Sequence, residues 1–209
     1  MNNNNQHKTT AAKRRYMIRR ITVTGILAGV STVLMMLSFS VPFMPAFIKL
    51  DISELPALLA SFAFGPVEGV MVCLIKNIIN AFFSTTGGVG EFSNFVLGCA
   101  FVVPAGMLYK YGKNRKFALI GSAVGALSMA VLSLPINYYV MYPTYMTVMG
   151  FELNMIVGAY QAIYPGVNGL FACLALFNVP FTFLKGAIDV LLTFIIYKRL
   201  SGLLHGKRV

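Results

Sequence analysis

Residues 177–200 read FNVPFTFLKGAIDVLLTFIIYKRL, an apolar run about as long as a helix needs to cross a bilayer. Four polar side chains interrupt it, Asn178, Thr182, Lys185 and Asp189, at spacings of four, three and four. At about 100° per residue, all four fall within roughly 60° of one helical stripe. Pro180 falls in what should be the first turn, where a missing N–H costs nothing. A charge facing lipid is costly, so such residues turn toward a bundle interior or a wet cavity. Lys185 and Asp189, four apart, could satisfy each other as a structural pair. The reading preferred for the whole set is a polar stripe lining a ligand cavity.

The rest of the chain agrees with a membrane setting. Of its 209 residues 57% are hydrophobic and only 11% charged, with mean hydropathy +0.75. A soluble domain carries about 25% charged residues. With no Trp, Tyr and Phe must supply any interfacial belt. Cys73, Cys99 and Cys173 all lie in apolar runs. Three cysteines without CxxC spacing make neither a disulfide framework nor a zinc site, and they read as small buried hydrophobes. The two histidines, His7 and His205, lie in polar tails, so no metal site is expected.

The net charge of +11 is localised. Basic residues cluster at Lys8, Lys13, Arg14, Arg15, Arg19 and Arg20, in the loop Lys110, Lys113, Arg115 and Lys116, and at Lys198, Arg199, Lys207 and Arg208. These groups flank hydrophobic segments, the positive-inside pattern. The charge therefore reports topology and no nucleic-acid partner. Only Lys49, Lys76 and Lys185 fall outside the clusters.

Residues 1–20 read as a basic, mobile cytoplasmic tail with a short helical approach, and 201–209 as a second basic tail. The domain between them, 21–200, is expected to be all-α, an integral membrane protein with six transmembrane helices and both termini cytoplasmic. The first span, 21–37, is long for a signal-peptide core and no A-x-A site follows it. It carries Gly25, Ala28, Gly29 and Thr32, two small-xxx-small pairs. Such spacing lets another helix approach closely, either within the bundle or from a separate membrane subunit. Pro42 and Pro45 preclude a continuous helix, so 39–53 should be an ordered, extended loop. Spans follow at 55–65 and 67–84, the latter with Lys76, Asn77 and Asn80. For each of these polar groups a helix-to-helix hydrogen bond is the expected use. TTGGVGE (85–91) forms a turn and matches no GxxxxGK[ST] phosphate loop. Span four, 91–111, opens with Glu91, which suits a helix N-terminus, and Asn94. Span five covers 117–140.

Residues 141–176 are apolar but broken by Pro143, Gly150, Gly158, Pro165, Gly166 and Gly169. A further crossing there would put the basic C-terminus on the wrong side. The segment is therefore expected to be a long outer loop, with room for short re-entrant helices. On this topology Asn94, Asn137, Tyr138, Tyr142, Asn178 and Thr182 gather on the outer side. Lys185 lies roughly 10 Å below Asn178 at about 1.5 Å per residue. Phe177, Phe181 and Phe183 supply aromatic walls. Asn offers a donor and an acceptor and aromatic faces stack. The set suits an uncharged, flat heterocycle with carbonyl and N–H groups along one edge. No nucleophile–base pair, metal cluster or nucleotide motif appears, which opposes an enzyme.

Three segments, KLDISELPALLASFAFGP, IKNIINAFFSTTGGVGEFSNF and NVPFTFLKG, resemble in this order the riboflavin-specific substrate-binding components of energy-coupling-factor (ECF) vitamin importers. The resemblance spans about 20 to 200. It implies a six-helix protein of the bacterial cell membrane that captures riboflavin from outside and carries no cofactor. It also implies a transmembrane coupling protein and two ABC-type ATPases as partners. Ligand contacts carry over to the segment around Leu50 and Asp51, to Asn94, to Asn137, and to Asn178 and Lys185. The small residues Gly25, Ala28, Gly29 and Thr32 match the face that meets the coupling protein. The competing expectation is an ion-gradient-driven carrier of a small aromatic or vitamin substrate, with Lys185, Asp189 and Glu68 relaying protons. Such carriers commonly show inverted repeats, and none is found.

Overall fold

A computed structural model describes the backbone of residues 3–84 and 86–205 and the side chains of 10–84 and 86–196. The side chains of His7, Lys8, Thr85, Lys198, Arg199, His205, Lys207 and Arg208 lie outside the described set. Helix α1, Asn3–Met36, leads into a hairpin of two-residue strands, β1 (Phe39–Ser40) and β2 (Lys49–Leu50). Helices α2 (Glu54–Phe64), α3 (Pro66–Ala81), α4 (Val89–Gly112) and α5 (Arg115–Ile136) follow. Then come α6 (Tyr142–Met149), α7 (Leu153–Gln161), α8 (Leu170–Cys173) and α9 (Val179–His205).

Four described helical stretches are long and apolar enough to cross a membrane: Thr10–Met36, Val89–Gly112, Arg115–Met149 and Leu170–Ile196. Helices α2 and α3, at 11 and 16 residues, fall short of the ~20 residues that a crossing takes. The hydrophobicity of α2 runs all round its axis, and a helix of that kind sits inside a bundle. Every residue from Glu54 to Phe62 is buried. Its Ala57, Leu58 and Ala60 share a core with Val72 and Cys73 of α3 and Phe101, Val102 and Ala105 of α4. Gly65, at φ 122°, ends α2, and Pro66 opens α3 at once.

The 39–53 segment is ordered, as its prolines require. Phe39 pairs with Leu50 and Ser40 with Lys49, antiparallel. Tight turns run from Val41 to Met44 and from Pro45 to Ile48. Elsewhere the structure departs from expectation. Residues 3–20 continue α1 as helix, longer than the short helical approach expected. The expected outer loop at 141–176 is mostly helical. Helix α5 runs on into α6 as far as Met149, α7 occupies the middle, and the last helical stretch begins at Leu170, seven residues earlier than expected.

The cause is the same at both boundaries. A π-helical turn, Asn137–Met141, precedes Pro143, and another, Leu174–Asn178, precedes Pro180. In each, the last available N–H reaches five residues back, from Tyr142 to Asn137 O and from Val179 to Leu174 O. Widening the turn one residue ahead of the proline accommodates the missing N–H and the ring, so the helix passes through where a break was expected.

The first helix divides its small residues between two faces. Ala28 is 1% exposed and lies in the α2–α4 core, and Thr32 is buried with its hydroxyl donating to Ala28 O at 2.9 Å. Gly25 and Gly29 face outward with nothing near the site of a Cβ. Ala28 and Thr32 therefore leave the expected partner-facing set, because a step of one residue turns a helix by about 100°. Ala28→Leu is accordingly expected to overpack the core and cost about 1–3 kcal/mol, read as a lowered thermal midpoint in detergent. Unchanged stability with lost assembly would restore the docking role.

Candidate ligand-binding cavity

At the hairpin end of the bundle a cavity of about 210 Å³ lies between α1, the hairpin loop, α4, α5–α6 and the start of α9. A neighbouring cavity of about 300 Å³ shares Met35, Phe47, Lys49, Asp51, Gly90 and Tyr145 with it. The two are lobes of one cleft, and joined they enter the roughly 300–1,000 Å³ range of small-molecule sites.

Seven expected residues line the first lobe: Asp51, Asn94, Asn137, Tyr142, Asn178, Thr182 and Lys185. Leu50 and Tyr138 do not. Leu50 alternates with Lys49 and Asp51 along an extended strand, so it points to the other side. Tyr138 packs edge-on against Tyr139 and Phe171, at 5.0 and 5.9 Å between ring centres. Of the three expected aromatic walls, Phe181 lines the lobe, Phe177 packs on Tyr160 at 5.4 Å, and Phe183 faces outward. Residues not anticipated include Phe47, Ser93, Met129 and Tyr145. The two π turns carry Asn137 and Asn178, so the backbone irregularity and the amide groups coincide.

The stripe on α9 is real. Asn178, Thr182, Lys185 and Asp189 are all buried, and Thr193 extends it by one more turn. Lys185 does not pair with Asp189. Its Nζ donates to Asp51 Oδ2 at 2.8 Å and to Asn94 Oδ1 at 3.4 Å, tying the end of the hairpin loop to α9 and α4. Asp51 Oδ1 also accepts from Ser53 N at 3.0 Å and Ser53 Oγ at 2.5 Å. That hydroxyl accepts in turn from Lys76 Nζ at 2.6 Å, and Lys76 donates equally closely to Glu54 Oε1. One network thus runs from α3 through the loop to α9. Burial pushes the Asp51 carboxyl up, but Lys185, then Lys76, and the hydrogen bonds from Lys185 and Ser53 outweigh it and hold it at about 2. A lowered carboxyl contributes stability above its unfolded value and loses it as pH falls through the folded one. The loop is therefore pinned at any pH well above about 2.

A second network closes the cavity wall. Tyr160 Oη donates to Asn178 Oδ1 at 2.7 Å, Tyr142 and Tyr160 share a 2.5 Å bond, and Asn178 Nδ2 donates to Tyr142 Oη at 3.4 Å. Phe47 stands edge-on to both rings. Tyr160, 0% exposed, was hidden in the stretch expected to be loop.

Other polar groups have local uses. Asn77 and Asn80 donate to Cys73 O and Lys76 O of their own helix, so these two bonds do not cross to another helix. Glu91 accepts from Ser84 Oγ at 2.7 Å, closing the glycine-rich turn. Glu68 is paired with Arg20, in a cleft with Tyr109, Lys110 and Lys113 and apart from the Lys185 network. The three cysteines are free thiols, Cys73 and Cys173 buried and Cys99 half-buried.

The arrangement gathers amides, phenols and the ammonium groups of Lys49 and Lys185 around one cleft at one end of a helical bundle. A family model described as "ECF transporter, substrate-specific component" matches residues 19–197. The riboflavin transporter RibU of Staphylococcus aureus (strain TCH60) is 32% identical over 186 residues, 89% of this chain and 92% of its own. The riboflavin transporter FmnP of Bacillus subtilis (strain 168) is 25% identical over 194 residues, 91% of this chain and 96% of its own. A solved structure of the S component of a bacterial ECF transporter matches with a TM-score of 0.71 at 30% identity, covering 92% of this chain and 99% of that one. This is a family of transporter components and not of enzymes. A matched family model over most of the chain, with a solved S component sharing its fold, shows that this membrane protein belongs to the substrate-specific components of ECF transporters.

Proposed function

We propose that the chain captures riboflavin in the cleft beneath the 39–53 loop and delivers it inward with a transmembrane coupling protein and two ABC-type ATPases. The observation that carries the reading is the convergence of Asn94, Asn137, Asn178, Thr182 and Lys185 on one cleft, in a chain whose relatives are named riboflavin transporters. Asn side chains match the carbonyl and N–H edge of the flavin ring. Tyr142, Tyr145 and Phe181 offer aromatic faces, and hydroxyl-bearing carbons of the sugar chain suit the polar stripe on α9.

The protein sits in the bacterial plasma membrane with six helical segments embedded, α2 and α3 together with the four long stretches. Both termini lie on the cytoplasmic side and the loop opens outward. The basic loop at Lys110–Lys116 supports that orientation. Titrating purified protein with riboflavin should give saturable, one-to-one quenching of flavin fluorescence, with a parallel titration of its phosphate defining selectivity. Absence of quenching would overturn the reading. Riboflavin accumulation driven by an ion gradient, in vesicles holding this protein alone, would replace it with the gradient-driven carrier.

The coupling protein meets the outward glycine face of α1. Gly29→Leu fills open space and is expected to leave riboflavin affinity within about twofold while abolishing co-purification with the coupling protein and uptake in cells. An effect of that size exceeds what an isolated surface substitution does. Normal assembly in this variant would move the contact to another face.

A further inference from the structure

We propose that Asp189 is a second seat for the Lys185 ammonium, taken up when Asp51 swings away with the hairpin loop to admit a ligand. The proposal rests on the reading that this cleft is loaded from beneath the loop. Asp189 is 0% exposed, and neither of its carboxylate oxygens has a hydrogen-bond partner. Native proteins rarely leave a buried carboxylate so, and each case asks for an explanation.

Its position supplies one. Asp189 lies one turn beyond Lys185 on the same buried stripe of α9. Side chains on a helix lean toward its N-terminus, so the carboxylate tilts toward the turn that carries Lys185. The flexible four-carbon stem of a lysine can swing between two such positions. Lys185 is at present engaged by Asp51 at 2.8 Å. The other carboxylate nearby is committed, Glu54 to Lys76 at 2.6 Å.

The lobe under the loop, at about 210 Å³, reaches the size of a ligand site only when joined to its neighbour, and Asp51 lines both lobes. A ligand that fills the joined cleft therefore meets Asp51 where the lobes join and moves it aside with the loop. A buried ammonium stripped of its only counter-charge is strongly unfavourable, and without a replacement that penalty would hold the cleft shut. Asp189 removes the penalty by offering a carboxylate within the same helix. A carboxyl without a partner in a dry site holds its proton, so on opening Asp189 gives that proton to water in the cleft as the ammonium arrives, and one ion pair replaces another. Asp189 is thus a positioning residue: it acts through Lys185 and touches no ligand.

The test is amide hydrogen exchange of the ligand-free full-length protein in detergent, followed in peptides covering residues 38–53. Asp189→Asn keeps the shape and removes the capacity to take a charge. It is expected to slow exchange of the loop about tenfold, because opening loses its second ion pair, with exchange in α4 and α5 unchanged. Asp189→Glu retains a carboxylate and should restore the wild-type rate. Asp51→Asn should speed loop exchange. Loop exchange that is unchanged or faster in Asp189→Asn overturns the proposal, as does failure of Asp189→Glu to rescue. Global loosening of all helices in Asp189→Asn, rescued by neither Glu nor a further Lys185→Met change, would make the role purely structural and overturn it as well. No ligand enters this measurement, so absent flavin binding would count against the transport reading alone. With riboflavin, Asp189→Asn should slow binding and release together, leaving the dissociation constant within about threefold.

Discussion

Lys76→Met, which keeps length and removes charge, is expected to destabilise the protein by about 3–5 kcal/mol, the range for stranding one member of a buried ion pair. Lys76 and Glu54 are both 0% exposed and sit 2.6 Å apart. The pair is built into the bundle on all sides. A Cβ at Gly98 of α4 would lie 2.9 Å from Glu54 Oε2, so the glycine makes room for the carboxylate. Cys73 Sγ lies 3.4 Å from the same oxygen. Removing the ammonium leaves Glu54 without a counter-charge in a dry site and also takes a donor from Ser53, which holds Asp51. The measurement is reversible denaturation in mixed micelles. Glu54→Gln should cost a similar amount, and the double variant should recover much of the loss, since removing both charges strands neither. Single variants within about 1 kcal/mol of wild type would mean that water reaches the pair and that its burial is wrong.

Lys185→Ala is expected to weaken riboflavin binding roughly 10- to 100-fold, the loss of a hydrogen bond from a charged donor at about 1.5–3 kcal/mol. Two effects combine. The ligand loses the only ammonium on the α9 stripe, and Asp51 loses the contact that ties the loop to α9. A freed loop should also raise the association rate, so most of the loss should appear in dissociation. Fluorescence titration and stopped-flow quenching separate these. Asn178→Ala should weaken binding as well, and it breaks the Tyr142–Tyr160 ring of hydrogen bonds. Unchanged affinity in both variants would move the binding site elsewhere in the bundle.

Much of this was legible in the sequence because membrane burial is written in composition and period. The apolar runs, the ordered proline loop and the α9 stripe all follow from residue type and the 100° helical step. Other features were not legible. The pairing of Lys185 with Asp51 joins residues 134 positions apart, and an i,i+4 acid on the same helix was the more visible partner. Tyr160 and the continuation of α5 through Pro143 were missed because a proline reads locally as a stop. A π turn that rescues it depends on what the widened backbone packs against.

By itself, the chain's alphabet determined the solvent it lives in, where its helices lie, and which faces carry amides and charge. These are local quantities, set by transfer free energy and backbone geometry a few residues at a time. Tertiary structure alone decided which carboxylate each buried lysine takes, that neither pairs with Asp189, and that Ala28 lies in the core while Gly29 is left outward. Those outcomes depend on how the helical axes are placed about one another, and partner choice between equivalent charges follows distance in space rather than distance along the chain.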